Sequence, residues 1–375
     1  MNPNNLFNTL SVIAVIGLMI ARTALRAMPT SPIGISLFGF MFLIILISIF
    51  KSVKIDRTDK KISIFMFIYL IIHFFTADTE ITAIGLIILS FLLTTYLKRL
   101  NIDAHIIGQT IVLCFIATMI LYFDSLVSNL FTTASNSSFR AFFDNANTTG
   151  AFTTIAITAT FLFVKNKQLK VLLCILFAMS LLGCKSRNAI LFAITAMGFY
   201  IILKTKFAKY TPAIFVLTLL IALYYMAIIE PFSQTTQAQM FGKEQGSAGR
   251  SEQILITVTH FPLTLFGVGY DVPNDYSVSI TTFTIHNFYI NTIYALGIVF
   301  TILYFWYISH IYKTLKSKFA KAFLLASHIY FMFEPGTGFS TGMVNSLPLI
   351  LSVLKLNDEN YENSTLHTKF QYRRS

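Results

Sequence analysis

Two arginines and one histidine in this chain have the residue types and settings for acid–base work on an anion-bearing substrate. Arg187 lies in Lys185-Ser186-Arg187-Asn188, at the junction of two short apolar runs. Arg250 lies in Gly249-Arg250-Ser251-Glu252, just ahead of a stretch from Ser251 to His260 that reads as helix. His286, followed by Asn287, stands where a long polar segment gives way to another apolar run. A guanidinium presents a planar fork that grips phosphate or carboxylate through two parallel bonds, which an ammonium cannot do. The first N–H groups and positive dipole end of a helix would reinforce an anion beside Arg250. A neutral imidazole at a membrane interface can take the proton from an attacking hydroxyl. Each residue also has a plainer reading. Arg250 would be a solvated arginine paired with Glu244 or Glu252, Arg187 one that reaches to lipid head groups, and His286 a histidine bonded only to backbone.

Other polar residues carry weaker signals. Arg140, in a second polar segment from Asp124 to Thr149, is a further candidate anion ligand. Arg22 and Arg26 stand four apart on one helical face and could meet lipid phosphates. Glu244 and Glu252 are candidate carboxylate helpers. His73, His105, His310, His328 and His367 show no metal-ligand spacing with a carboxylate, so they read as structural or solvated and no metal site is expected. His260 reads as the close of a loop helix. Cys114, Cys174 and Cys184 lie in or beside apolar runs and read as small buried residues. Gly267-Val268-Gly269-Tyr270 lacks the strand and soluble helix that a dinucleotide site needs. It reads as a tight turn where the chain doubles back.

The elements that must position these residues are apolar helices. Only 12% of the chain is charged and its mean hydropathy is +0.70, against about 25% charge in soluble domains. Runs long enough to cross a hydrocarbon layer of roughly 30 Å recur along the sequence, and only internally bonded helices suit them. The class is therefore all-α, a polytopic integral membrane protein with about 12 transmembrane helices forming one domain over 1–375. The expected spans are 6–21, 32–50, 62–77, 81–97, 105–123, 149–165, 170–184, 188–204, 212–229, 287–311, 319–334 and 340–355. One long outer loop, 230–285, joins the ninth and tenth, and 357–375 is a cytoplasmic tail. The first run has no basic residues before it and reads as a retained helix rather than a secretory signal.

Charge sets the orientation. Of the 28 Lys and Arg, all but seven fall in alternate loops that also hold both ends of the chain. Such a bias places those loops and both termini in the cytoplasm and accounts for the net charge of +12 without nucleic acid. The seven exceptions are Arg22, Arg26, Arg140, Lys185, Arg187, Lys243 and Arg250. Topology disfavours basic residues there, and arginine predominates among them, so the outer face reads as built to hold an anion. A transporter for a phosphate-bearing lipid would also expose arginines, but it is expected to carry charges along a path inside its helices. These helix interiors carry almost none.

The order of these elements resembles the bacterial O-antigen polymerase and O-antigen ligase family. Ser186-Arg187 matches an S-R element, Gly249-Arg250 a G-x-R-like element, Pro262 through Gly267-Val268-Gly269 a proline–glycine turn, and His286-Asn287 an H-N element. The likeness covers residues 180–300; the first 150 match only in hydropathy and helix number. Leu263-Thr264-Leu265-Phe266 makes the turn longer than the pattern, and Asn188 stands where a small residue is commoner. The resemblance implies metal-independent glycosyl transfer without cofactor at the periplasmic face of a bacterial inner membrane. An undecaprenyl diphosphate-linked glycan would be the donor. Arg187 and Arg250, with Arg140, would bind substrate, and His286 would be the base, so that Arg187, Arg250 and His286 form the catalytic set. A polymerase is the first expectation because the chain is compact and its outer loop fairly short; a ligase acting on the lipid A core is the alternative. The implied surroundings are the lipid bilayer, the lipid-linked glycan and a chain-length regulator, with no nucleic acid.

Overall fold

The computed structural model describes residues 3–24, 56–79, 81–98, 100, 102–131, 138–143, 146–224, 250–281, 285–334 and 347–359. These residues form helices and turns with no strand among them. The first five helices are α1 (Pro3–Ala24), α2 (Arg57–Thr76), α3 (Ile81–Leu97), α4 (Ala104–Leu121) and α5 (Phe123–Phe131). Then come α6 (Ala146–Phe163), α7 (Lys167–Cys184), α8 (Arg187–Lys204) and α9 (Thr211–Tyr224). Next are α10 (Arg250–His260), α11 (Val272–Thr281), α12 (Phe288–Ala295), α13 (Gly297–Thr314) and α14 (Lys318–Tyr330). A last helix, α15, covers 347–359. The expected span at 32–50, the stretch 225–249, Arg26, Lys243, Glu244 and the tail beyond 359 lie outside the described residues.

Among the described residues, three helices are long and apolar enough to cross a membrane: α4, α7 and α8. Each keeps less than half of its apolar window inside the protein. In α7, Leu173, Phe177, Ser180 and Cys184 are buried, while Leu172, Ile175 and Leu182 face outward. A helix apolar on both faces suits lipid on the outer one. The cysteines divide the same way. Cys184 is buried and Cys174 half-buried, but Cys114 is exposed, because its position in α4 falls on the outward face. The expectation that all three are buried is corrected for Cys114.

Helix ends sort into two faces. At the Lys-rich face, Lys98 after α3 donates to Asp59 in the first turn of α2, and His310 Nε2 of α13 lies 3.5 Å from the same Asp59 carboxylate. Asn357 Nδ2 of α15 donates to the Leu97 and Leu100 carbonyls at 3.1 and 2.8 Å. Glu359 accepts from the backbone N–H groups of Lys316 and Ser317, capping the start of α14. The opposite face gathers the ends of α7 and α14 and the starts of α6, α8 and α12. The pairing of α8 with α14 is antiparallel. Phe192 stacks on Tyr330 and Phe323 at 5.0 and 5.3 Å, and Tyr200 meets Phe319 further along at 5.5 Å. In lipid such contacts stabilise through close packing rather than water exclusion.

The expected span 287–311 is two helices, not one. It breaks between α12 and α13 at Leu296-Gly297, where Gly297 has φ +79°. The turn from Thr264 to Gly269 seals the gap. Val268 and Gly269 N–H donate to the Tyr294 and Ala295 carbonyls at 2.9 and 3.1 Å. In return, Ile298 and Val299 N–H donate to the Thr264 and Leu265 carbonyls at 3.2 and 3.1 Å. The groups that a helix break leaves without intrahelical partners are thus paired. Gly267, at φ +80°, approaches so closely that a Cβ on either glycine would overlap the other strand's backbone. The longer Leu263–Phe266 segment therefore has a role: it supplies both acceptor carbonyls. On its far side the turn rests on α2. His73 Nδ1–H donates to Phe266 O at 2.6 Å, so Nε2 is the acceptor and takes the Thr79 hydroxyl at 2.9 Å. The Thr79 oxygen accepts Tyr270 N–H at 3.0 Å.

Gly297→Ala should destabilise the protein by about 2 kcal/mol or more, since an L side chain in the left-handed region costs roughly 1–2 kcal/mol before any overlap. The melting temperature of purified protein in detergent reads this directly; an unchanged value would contradict the splice.

Candidate functional site

The Arg187 corner is built by a sharp helical hairpin. α7 stops at Cys184 because Lys185 takes a left-handed conformation, φ 50° and ψ 30°. Ser186 then caps α8, its Oγ accepting Ala189 N–H at 3.3 Å and donating to Asn147 Oδ1 at 2.8 Å. A short side chain with an oxygen is the type that can cap while the chain reverses. Gly150 of α6 passes so near that a Cβ would meet Ala189 and Ser186. Arg187 is half-buried in the first turn of α8. Asn188, the departure noted after Ser-Arg, is buried and donates from Nδ2 to Glu334 Oε1 at 3.1 Å and to Phe333 O at 3.3 Å. That pair of bonds explains the larger polar residue.

The His286 corner joins two other segments. Arg250 is the first residue of α10, as the sequence suggested for a helix starting near Ser251. One turn on, Gln253 Oε1 accepts the backbone N–H of His286 at 3.1 Å. Residue 285 is tied to α11 as well, through Ile285 N–H to Asn274 Oδ1 at 3.1 Å. Asn287 caps α12, its Oδ1 accepting Tyr289 and Ile290 N–H at 3.1 and 3.0 Å. His286 itself is half-buried. The helix that begins with Arg250 is therefore held against the residue expected to act as base.

The two corners share one end of the bundle. Phe333 ends the short 3-10 turn Phe331–Phe333 and Glu334 follows it, both receiving Asn188, and the Phe331 ring packs on Phe288 at 5.2 Å. Phe288 is the neighbour of Asn287. Arg140 belongs to this end too. Phe139 N–H donates to Gly183 O at 2.9 Å, and the Thr149 hydroxyl donates to Arg140 O. The Arg140 side chain is exposed, and its backbone carbonyl takes the Thr149 hydroxyl and Phe143 N–H. His260 does close a loop helix, stacking on Tyr276 of α11 at 3.7 Å.

Sequence reasoning missed Gln253 and Glu334. Gln253 is one more polar residue after Arg250-Ser251-Glu252 and Glu334 a single acid after an aromatic run, and only tertiary contact gives them these partners. The structure also groups Asp56, Asp59 and His310, whose ligand atoms lie within 4.8 Å of one another. Their separation along the chain hides this cluster, and Lys98 already supplies a cation to Asp59 there. It lies at the opposite, Lys-rich end, away from Arg187 and His286.

Residues 172–305 match the family model described as O-antigen ligase. The matched region runs from α7 into α13 and contains Arg187, Arg250 and His286 but not Arg140. It supports the O-antigen polymerase and ligase family that the motif order resembles. No curated protein matches the chain.

Replacing Asn188 tests the Arg187 corner. Asn188→Ala removes donors from a buried carboxylate and should cost about 1–3 kcal/mol. Asn188→Asp sets a second acid against Glu334 and should cost more. Thermal unfolding in detergent compares them, and an aspartate variant as stable as the alanine variant would contradict the assigned contact.

Proposed function

We propose, from the family that residues 172–305 match, that this protein is a membrane glycosyltransferase working as an O-antigen polymerase. It would transfer an undecaprenyl diphosphate-linked glycan onto the next lipid-linked repeat unit at the periplasmic face of the inner membrane. The single observation that carries the reading is the bond from Gln253 to His286 N–H. It sets a helix opening on Arg250 against a histidine at the same end of the bundle as Arg187.

In the proposed reaction the acceptor hydroxyl attacks the anomeric carbon while His286 takes its proton. The bond from that carbon to the diphosphate oxygen breaks, and its electron pair stays on the diphosphate. Arg187 and Arg250 hold the diphosphate, where their charge matters more as the leaving oxygen becomes negative than in the ground state. Two guanidinium groups supply that charge without a metal. Arg140, exposed beside the same corner, would extend the grip toward the rest of the lipid-linked substrate. The Lys-rich face and both termini would lie in the cytoplasm, and a chain-length regulator would meet the enzyme in the bilayer.

The match to an O-antigen ligase family favours a second reading, transfer of the finished chain to the lipid A core. Complementation of a deletion strain separates the two. Loss of a polymerase leaves lipopolysaccharide with one repeat unit, whereas loss of a ligase leaves none attached.

Arg187→Ala, Arg250→Ala and His286→Ala should each abolish or severely reduce long-chain glycan while the protein still inserts. Arg250→Lys should also be impaired, since the ammonium lacks the fork. Gel ladders of extracted glycan, with immunoblots for insertion, read the result; wild-type ladders from Arg250→Ala would defeat the site assignment.

A further inference from the structure

Gln253 is fully buried, and both ends of its carboxamide bear on the site. Its Oε1 must be the atom facing His286 N–H, because only the oxygen accepts. Its Nε2 is thereby turned elsewhere, buried and with no hydrogen-bond partner among the described residues. Asn287, also fully buried, repeats the arrangement. Its Oδ1 is committed to capping α12, and its Nδ2 is likewise without a partner among the described residues. Buried donors normally find an acceptor, so each such group calls for a reason.

The faces of α10 point the same way. Gln253 and Thr257, one turn apart, are buried, whereas Leu255 and Val258 are exposed, Leu255 by 62%. The helix turns Gln253 and Thr257 toward the protein, while its outward side mixes Leu255 and Val258 with Thr259 and His260. A buried amide donor held beside His286 suits a ligand rich in oxygen acceptors, such as a glycan with its hydroxyl and ring oxygens.

We infer that Gln253 is a positioning and binding residue of this site: its Oε1 fixes His286, and its Nε2 donates to an oxygen of the lipid-linked glycan. The inference rests on the glycosyl-transfer reading above. It assigns the two halves of one side chain to two separable kinetic effects. Leucine at 253 removes both halves. Glutamate keeps an oxygen for His286 N–H but removes the N–H donor.

The test uses full-length protein in proteoliposomes with an undecaprenyl diphosphate-linked repeat unit, following glycan extension by gel. Wild type and His286→Ala are run alongside, and melting temperatures check that each variant folds. Gln253→Leu should lower kcat roughly 10- to 100-fold, the scale of a small misplacement of a reacting group. Gln253→Glu should keep kcat near wild type but raise KM for the lipid-linked glycan several-fold. A purely structural glutamine would give wild-type KM in Gln253→Glu, which would overturn the donor role. A wild-type kcat in folded Gln253→Leu would overturn the positioning role. An inactive wild type would instead overturn the glycosyl-transfer reading itself.

Discussion

A helix broken inside an apolar bundle leaves backbone N–H and C=O groups that neither lipid nor apolar side chains can satisfy. Here the break between α12 and α13 is closed by the turn at Thr264–Gly269, which accepts two N–H groups and donates two of its own across the gap. The rest of the site depends on this exchange. It fixes the turn against α12, and the turn carries α10 and α11 on either side of it. It adds to the direct bonds from His286 N–H to Gln253 and from Ile285 N–H to Asn274 that hold these helices to the start of α12. Glycine at 267 and 297 is what allows the two backbones to come that close.

From that anchor the site is assembled by short polar links between apolar elements. Gln253 joins α10 to His286 ahead of α12, Asn274 joins α11 to residue 285, and Asn188 joins α8 to Glu334 beyond α14. Each is an amide side chain, able to donate and accept without carrying charge into the bundle. Asp59 with Lys98, and Asp358 with Lys355, hold the Lys-rich ends of the helices. Among the described residues, ion pairs tie the Lys-rich end, and amide bonds, one of them to the Glu334 carboxylate, tie the other.

The segment that looks most like a soluble loop is not organised as one. Along α10 and α11, Gln253, Thr257 and Ser277 are buried while Leu255, Val258, Val278 and Ile280 are exposed. Leu263 and Leu265 in the connecting turn are exposed as well. The outer sides of both helices mix these apolar residues with exposed Thr259, His260, Asp275 and Ser279. Such a mixed outer side suits helices lying at a membrane interface.

Much of the architecture was legible in the amino-acid order. Long apolar runs require internally bonded helices, so the positions of α2 to α4 and α6 to α9 follow from hydropathy. The Lys and Arg pattern separated two sets of helix ends, and Ser186-Arg187, Arg250 and His286 stood out as polar groups at the boundaries of apolar runs. The break at Gly297 was hidden because Ala295-Leu296-Gly297 keeps the hydropathy of a continuous span, and only the partner turn satisfies the broken ends. The value of Gln253 and Glu334 was hidden for a related reason. One-dimensional periodicity reports which face is apolar, whereas a hydrogen bond between residues 253 and 286 depends on three-dimensional closure. Composition and periodicity thus decide what must be helix and which ends share a face. Which polar groups meet at that face is decided by long-range contacts, because a buried donor or acceptor is satisfied only by the group that folding brings within reach.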